Sequence, residues 1–338
     1  MDRRRFLGLV GGGSIHLGAG CSRLAPPPDR GDDGTEAVLT PVAVPDASDE
    51  PQTVPAEEAP EDRTIVGERI TSEILHVVFE EVRRDASGER FDPGPGHEFV
   101  LVTVSMKNVA DRFANPRMLF LMRLHDDNDL QHERRPADGA HPHEFDDGRL
   151  APGEVERGDV AFEVPVRASG LELAFYHPVE AFRASDVVRV DLETRLEEPD
   201  RLQFDLRVDA HDIGETVSVG GLDVTVVGVS NDVRPGEHTP GSGLAVDVTI
   251  HNGSQERRDI SAIRQLQVKD ERGNSYAIDG EARPLVHDRP TDETTTLLAG
   301  ETWHGRVPYR VKQDATPTYW IFRPEAKHGG RKTFWRIE

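Results

Sequence analysis

Apolar and polar residues alternate along most of the chain beyond Thr64, in short runs separated by turn-forming residues. This period of two is typical of a strand with one buried face, because successive side chains point to opposite faces of a sheet. A helical period occurs only briefly, around residues 115–121. The pattern therefore predicts an all-β fold of short strands.

The same succession of strands and turns occurs twice, at an offset of roughly 145 residues. Residues 102–108 match 246–252, and each run alternates and ends in asparagine. Two polar hairpin tips, 124–130 and 268–274, follow at the same spacing. This agreement indicates that one domain has been duplicated. The most similar segments begin Leu-Ala and continue with Gly153, Glu154, Gly158, Phe162 and Val164 in one copy and with Gly300, Glu301, Gly305, Tyr309 and Val311 in the other.

Each copy holds about seven short strands in about 130 residues, which favours a β-sandwich. We predict two tandem immunoglobulin-like β-sandwiches, with domain 1 at residues 65–193 and domain 2 at residues 204–338. Residues 194–203 are expected to form a short linker, and its centre at 197–200 has the composition of a hinge.

Both copies resemble the telokin-like, immunoglobulin-like domain of unknown function that occurs in bacterial and archaeal extracytoplasmic lipoproteins. The resemblance rests on the strand that ends in Asn108 or Asn252, on the hairpin tip, and on the Leu-Ala-(Pro)-Gly-Glu motif with its later glycine and aromatic residue. It covers most of the chain. It implies a fold and an extracytoplasmic location, and it implies no reaction and no catalytic residues.

The start of the chain has the anatomy of an export signal. Arg3, Arg4, Phe6 and Leu7 resemble a twin-arginine signal, and the small residues before Cys21 resemble the lipobox of prokaryotic lipoproteins. Cys21 is the only cysteine, and a lipid on its sulfur would remove a thiol exposed to an oxidising compartment. We expect residues 1–20 to be a signal peptide and Cys21 to anchor the exported chain to the outer face of the cytoplasmic membrane. The alternative is a weak membrane anchor with an incidental cysteine.

Residues 21–64 are predicted to be a disordered tether. Residues 22–64 contain eight prolines, eleven acidic residues and no aromatic residue. Such a segment buries too little apolar surface to offset the entropy lost on ordering. Proline and charge repulsion would keep it extended, so that it holds the folded domains away from the membrane.

The chain is strongly acidic, with a formal net charge of −22. Only five of its 40 basic residues are lysines. This charge disfavours nucleic acid as a partner, because binding phosphates needs a basic face. An acidic, lysine-poor composition resembles proteins of extreme halophiles, in particular haloarchaea, although an ordinary acidic protein is the alternative.

The G-x-S-x-G elbow, the phosphate loop, H-E-x-x-H and C-x-x-C are absent from the sequence, and although a serine triad is recognised by geometry rather than by sequence, nothing here favours one. We therefore expect no enzymatic activity and no cofactor. His132, His141 and His143 lie close together and Asp146 follows, which is a composition that zinc or copper can use. A solvated acidic loop is the alternative explanation.

Three further features each allow two interpretations. The acidic tip 126–129 could bind calcium or be a plain turn. The tryptophans Trp303, Trp320 and Trp335 could form a partner surface or fill the core of domain 2. Asn252 begins an N-glycosylation sequon at a strand end, where we expect it to be accessible.

Together these features predict a non-enzymatic cell-surface lipoprotein. Its two domains would serve binding or structural interactions with an unknown envelope protein or glycan, and its membrane contact would be the lipid on Cys21. The alternative is a metal- or solute-binding lipoprotein that uses the histidine-rich loop of domain 1.

Overall fold

The described part of the chain is almost entirely β-structure. The residues from Ala47 to Glu338 belong to one compact unit. The computed structural model describes residues 52–54, 63–84, 93–116, 122–135, 148–176, 187–234, 242–276, 278–279, 294–324 and 331–338.

Domain 1 is a sandwich of short and medium strands. Its strands are β1 (Gln52–Val54), β2 (Thr64–Val66), β3 (Arg69–Thr71), β4 (Leu75–Arg83), β5 (His97–Asn108), β6 (Met122–His125), β7 (Gln131–Arg135), β8 (Val155–Pro165), β9 (Glu172–Tyr176) and β10 (Val187–Leu196).

One layer of domain 1 has the strand order β3-β4-β5-β8, and the other has the order β7-β6-β9-β10. Strand β7 pairs with both β6 and β8, so the ladder of hydrogen bonds continues from one layer into the other. Strand β2 runs parallel to β10 at the edge. The alternate residues of the two layers meet in a core that includes Phe79, Val104, Phe162 and Leu173.

Domain 2 repeats this architecture. Its elements are β11 (Ala210–His211), β12 (Thr216–Val219), β13 (Leu222–Ser230), β14 (Ser242–Asn252), β15 (Arg258–Ser261), α1 (Ala262–Gln265), β16 (Leu266–Asp270), β17 (Ser275–Tyr276), β18 (Thr294–Leu297), β19 (Thr302–Val311), β20 (Pro317–Phe322) and β21 (Thr333–Arg336).

The two main layers of domain 2 correspond to those of domain 1, while β15 and β18 form a separate two-stranded sheet. The order β12-β13-β14-β19 matches β3-β4-β5-β8, and β17-β16-β20-β21-β11 matches β7-β6-β9-β10-β2. Even the bulge is repeated, between Phe79 and Glu81 in β4 and between Val226 and Gly228 in β13. The predicted all-β fold with two tandem copies is confirmed.

The tryptophans of domain 2 mainly fill its core. Trp320 and Trp335 are fully buried and meet edge to face, with ring centroids 5.3 Å apart. Trp303 is partly buried, and its ring occupies the space that a side chain on Gly305 would need. Burying each large aromatic side chain contributes roughly 2–3 kcal/mol to folding, so the core interpretation holds for Trp320 and Trp335.

Two ends of domain 1 differ from the predicted organisation. Residues 52–54, assigned to the disordered tether, form β1, which pairs in parallel with residues 194–196 of β10. Arg195 Nε also donates to the hydroxyl of Thr53 at 2.9 Å. Strand β10 extends to Leu196, into the predicted linker, and residues 52–54 are ordered because they pair with it. The composition of residues 52–54 does not reveal that a strand is available to pair with them.

Candidate functional site: the junction between the domains

The segment that joins the domains is exposed at residues 197–199 and packs against the domains through alternate residues from Leu202 onward. The backbone amide of Asp205 donates to the carbonyl of Gly153 at 3.0 Å, and that of Arg207 donates to Pro152 at 2.9 Å. The chain passes so close that a Cβ on Gly153 would lie 1.6 Å from the Asp205 carbonyl oxygen. This segment therefore adds ordered structure to the turn that precedes β8.

Alternate residues of the joining segment contact both domains. Leu202 and Phe204 pack on Val78 and Val155 of domain 1. Phe204 also stacks on Tyr319 of domain 2, with ring centroids 5.1 Å apart. The alternation extends the strand-like pattern of the domains into the linker, which explains why it is held rather than free. The apolar part of the junction also contains Ala151, Leu206, Val208, Ile321 and Phe334.

The turn before β8 is closed by Glu154. The backbone amide of Ala151 donates to Glu154 Oε2 at 2.7 Å. In domain 2 the amide of Leu298 donates to Glu301 Oε2 at 2.8 Å. The repeated Leu-Ala-(Pro)-Gly-Glu motif is therefore a turn that its own carboxylate holds.

Among the described residues, Glu154 has a second set of partners that Glu301 lacks, and these come from the other domain. Its Oε1 accepts hydrogen bonds from Lys269 Nζ and, at 2.7 Å, from Lys332 Nζ. Lys269 Nζ also lies 2.5 Å from Glu156 Oε2 and donates to the Val155 carbonyl at 3.1 Å. The four charged side chains are 0–2% exposed. Two carboxylates of domain 1 thus meet two ammonium groups of domain 2 in a buried cluster, which we call the charge cluster.

The charge cluster divides into a strongly ionised part and a weakly ionised part. Burial alone raises the pKa of Glu154, but the two lysines outweigh it and hold that pKa below its usual value. Burial lowers the pKa of Lys269, but both carboxylates outweigh it and raise that pKa. Burial dominates for the other two groups, so it raises the pKa of Glu156 and lowers that of Lys332 to about 7. Glu154 and Lys269 are therefore the firmly charged pair.

A second polar contact flanks the charge cluster. Arg157 donates from Nε to Glu80 at 2.7 Å and from Nη1 to Asn274 of domain 2 at 2.9 Å. Its backbone amide donates to the carbonyl of Gly273 at 2.9 Å. The hydroxyl of Ser275 donates to Glu156 Oε1 at 2.8 Å. These bonds fix the β16–β17 hairpin against the start of β8.

A family comparison accounts for the duplication. The family model described as "Domain of unknown function (DUF4352)" matches residues 64–185 and 211–333. The chain belongs to the DUF4352 family. It carries two tandem DUF4352 domains, and the first match begins at β2 while the second begins at the corresponding strand β11.

Several solved structures are similar to part of the chain. YjhA of Bacillus subtilis is 18% identical and covers 38% of this chain and 99% of its own, with a TM-score of 0.30. YcdA of Bacillus subtilis, a candidate lipoprotein, is 15% identical and covers 37% of this chain and 38% of its own, with a TM-score of 0.31. The secreted protein MPT63 of Mycobacterium tuberculosis is 18% identical and covers 39% of this chain and 99% of its own, with a TM-score of 0.28. No curated protein matches the chain.

The face of domain 2 that packs on Phe204 of the joining segment differs from the corresponding face of domain 1 at two described positions. On domain 2 this face carries Tyr319 and Phe334, whose rings meet edge to face at 6.0 Å. The corresponding positions on domain 1 hold Glu172 and Arg189, which form an ion pair. The Arg189 side chain is 55% exposed, and a hydrated charge of this kind gains little from being covered. The two DUF4352 domains have thus diverged so that only one of the two faces is suited to burial.

The residues predicted for export and lipidation, Arg3, Arg4, Phe6, Leu7 and Cys21, lie outside the described residues. Among the described residues, no helix is long and apolar enough to cross a bilayer.

Of the predicted metal ligands, His132 alone falls within the described ranges. Its Nε2 lies 3.2 Å from Asp126 Oδ2, inside the β6–β7 hairpin of domain 1. His141, His143 and Asp146 lie outside the described residues. In the part of the chain that the structure describes, no three His, Cys, Asp or Glu side chains are grouped to hold a metal ion.

Asp126, at the predicted calcium tip, holds its own turn. Its Oδ1 accepts the backbone amides of Asn128 at 2.9 Å and Leu130 at 3.1 Å. Burial alone raises the pKa of Asp126, but the hydrogen bonds from His132 and from these amides lower it below its usual value. Asp270 accepts the corresponding two amides in domain 2. The repeated aspartate is explained by the turn, which needs no ion.

Asn252 is not accessible for glycosylation in the folded domain. Its side chain is fully buried, and its amide nitrogen donates to the carbonyls of Glu256 at 2.7 Å and Leu297 at 3.0 Å. Asn108 makes the corresponding two bonds in domain 1. The expectation of an accessible asparagine was wrong, because in both DUF4352 domains this residue anchors the loop after the strand from inside.

The charge cluster was not predicted as a site. One signal for it exists in the composition, because lysine is rare in this chain and two of its five lysines are Lys269 and Lys332. Lysine is almost never fully buried unless it is paired. Nothing in the order of residues, however, says that these lysines face Glu154 and Glu156.

Proposed function

We propose that this chain is an exported, non-enzymatic lipoprotein that presents its two DUF4352 domains as one rigid body. The observation that supports this is the buried junction, where Arg157 reaches Asn274 and the joining residues Leu202 and Phe204 are packed. Domains in one chain usually move relative to each other unless their interface is large and apolar. A fixed pair offers a partner one surface of constant shape, which lowers the entropy cost of binding.

The partner in this proposal is an envelope protein or a glycan, and the membrane contact is a lipid on Cys21. The residues between Cys21 and β1, extended by proline and charge repulsion, would reach further than the roughly 30 Å of a flexible coil of this length, enough to hold the rigid body clear of the lipid headgroups. The telokin-like relationship and a halophilic, haloarchaeal host belong to the same proposal. The composition supports the host, with 62 acidic and 40 basic residues.

The lipid anchor is tested by Cys21→Ser, with Ser22→Ala as the matched control. We expect the Cys21 variant to leave the membrane fraction, because a single modified sulfur carries all of the acyl or alkyl chains. The Ser22 variant should stay with the membranes. Equal membrane retention of both variants would contradict the anchor.

The export route is tested by replacing Arg3 and Arg4 with lysine together, and Arg5→Lys serves as the control. A twin-arginine signal depends on the pair itself, so the double variant should accumulate inside the cell while the control is exported. Normal export of the double variant would exclude this route.

The binding role is tested by incubating the detergent-extracted full chain with purified envelope glycan and, separately, by cross-linking it in intact cells. Saturable glycan binding, or a cross-link to one envelope protein that excess unlabelled chain competes away, supports the proposal. The absence of both would refute it.

A further inference from the structure

The charge cluster lies between the two domains and joins groups from both. Glu154 touches Lys269 and Lys332, and each of these lysines lies in the second DUF4352 domain. The three side chains are at most 2% exposed, so water does not screen their interaction. We propose that Glu154 is the proton-sensitive element of a latch between the two domains, and that protonating its carboxylate releases both lysines and lets the junction open.

The charge balance explains why Glu154 controls the junction. With both carboxylates ionised, the cluster holds two negative and two positive groups. Because the pKa of Glu156 is raised, that carboxyl takes up its proton first, and neutralising Glu154 then leaves the two buried lysines without a charged carboxylate. An unpaired buried charge is strongly unfavourable, whereas a lysine that reaches water keeps its hydration. Separation of the domains supplies that water.

Among the described residues, the charged groups around Glu154 act on its ionisation in both directions. Lys269 and Lys332 favour its ionised form, and Glu156 opposes it. The positive charge of Arg323 makes the protonated form of Lys332 less favourable. The pKa of Glu154 is held below its usual value in the closed junction, so its contribution is present at neutral pH and is lost as the pH falls through that lowered value.

Glu156 acts in the opposite direction and gives the latch a recognisable pH profile. Its pKa is raised by burial, so the closed junction takes up a proton more readily than the open one. Mild acid should therefore tighten the junction before stronger acid, which protonates Glu154, opens it. As the pH is lowered, the stability of the closed junction should first rise and then fall. Carboxylates that all have lowered pKa values would give only a fall.

Amide hydrogen exchange on the full detergent-extracted chain tests the latch. The reporters are the amides of Arg157 and Asp205, which donate across or along the junction, and the amide of Val248 in β14 reports on global unfolding. Rates are corrected for the intrinsic pH dependence of exchange. Below the usual pKa range of glutamate, the junction amides should exchange on the order of a hundred-fold faster while Val248 stays protected.

Variants separate the latch from a merely structural turn. Glu154→Gln should open the junction at neutral pH, whereas Glu301→Gln, which changes the same turn in domain 2, should leave junction exchange unchanged. Adding Lys332→Met to Glu154→Gln should restore most of the protection, because Lys269 and Glu156 then remain as a balanced pair.

Three results would overturn the proposal. The junction amides could stay protected in acid, or they could lose protection only together with Val248. The third is equal junction exchange in the Glu154 and Glu301 variants, which would reduce Glu154 to a turn residue. Failure of the anchor or binding experiments would leave these readouts unaffected, since they depend on the folded domains alone.

Discussion

Gly273 and Asp129 hold the same left-handed backbone conformation at corresponding positions of the two hairpins, with φ angles of 85° and 59°. Asp129 is exposed at its hairpin tip. Gly273 instead lies against Val155 of domain 1, and a Cβ at this position would be 2.7 Å from the Val155 carbonyl oxygen. The glycine in the second copy thus allows the domains to approach, while the first copy keeps a side chain.

This contact predicts that Gly273→Asp separates the domains without unfolding them. The new Cβ would need to displace a backbone atom of β8, and the positive φ adds strain of about 1 kcal/mol for a non-glycine residue. Exchange at the Arg157 amide should increase, and the unfolding midpoint should fall slightly. Asp129→Gly is the matched control and should change neither; a Gly273→Asp variant with an unchanged junction would contradict this prediction.

Lys332 predicts an unusual alkaline dependence of stability. Its pKa is lowered from 10.5 to about 7 in the folded chain. Between these values the unfolded chain binds more protons at this group, so stability should rise with pH by up to a few kcal/mol.

Urea unfolding at pH 7, 8.5 and 10 measures this slope, and Lys332→Met should remove it. Lys107→Met, which removes a lysine from outside the charge cluster, is the control and should keep the slope. A wild-type chain whose stability falls steadily over this range would show that Lys332 is charged throughout.

The buried hydrogen bonds of Asn252 predict that this residue stabilises the fold and carries no glycan. Asn252→Ala should destabilise the chain by about 2 kcal/mol, because two buried carbonyls lose their donor. Asn108→Ala should cost a similar amount, since it removes the corresponding bonds in domain 1. Thermal unfolding measures both variants, and intact mass of the exported chain should show no glycan on Asn252.

The net charge of −22 predicts that salt stabilises the fold. Repulsion between exposed carboxylates is screened as the Debye length falls from about 10 Å at 0.1 M to about 3 Å at 1 M salt. The unfolding temperature should therefore rise with potassium chloride over this range. A chain with eight exposed carboxylates replaced by their amides should respond less, and an equal response would point to a general effect of salt on apolar burial.

The duplication and the sandwich fold were predictable because they depend on local signals. The alternation in residues 102–108 and 246–252 specifies which face of a strand is buried, and that requirement is met within each copy. The turn motif at Glu154 and Glu301 is equally local, since each carboxylate bonds an amide three residues earlier. The role of Asn252 was missed because a sequon and a buried anchor look alike until the loop is closed.

By itself, the sequence determined the strands and the repeat, since period-two burial and turn chemistry act over a few residues. It also showed that lysine is rare. Only the tertiary structure decided that Glu154 meets Lys269, which is 115 residues away, and that the joining segment is packed. The physical reason is that a buried charge pair depends on two surfaces coming together. Among 62 acidic residues, local pattern does not distinguish the one that the other domain covers.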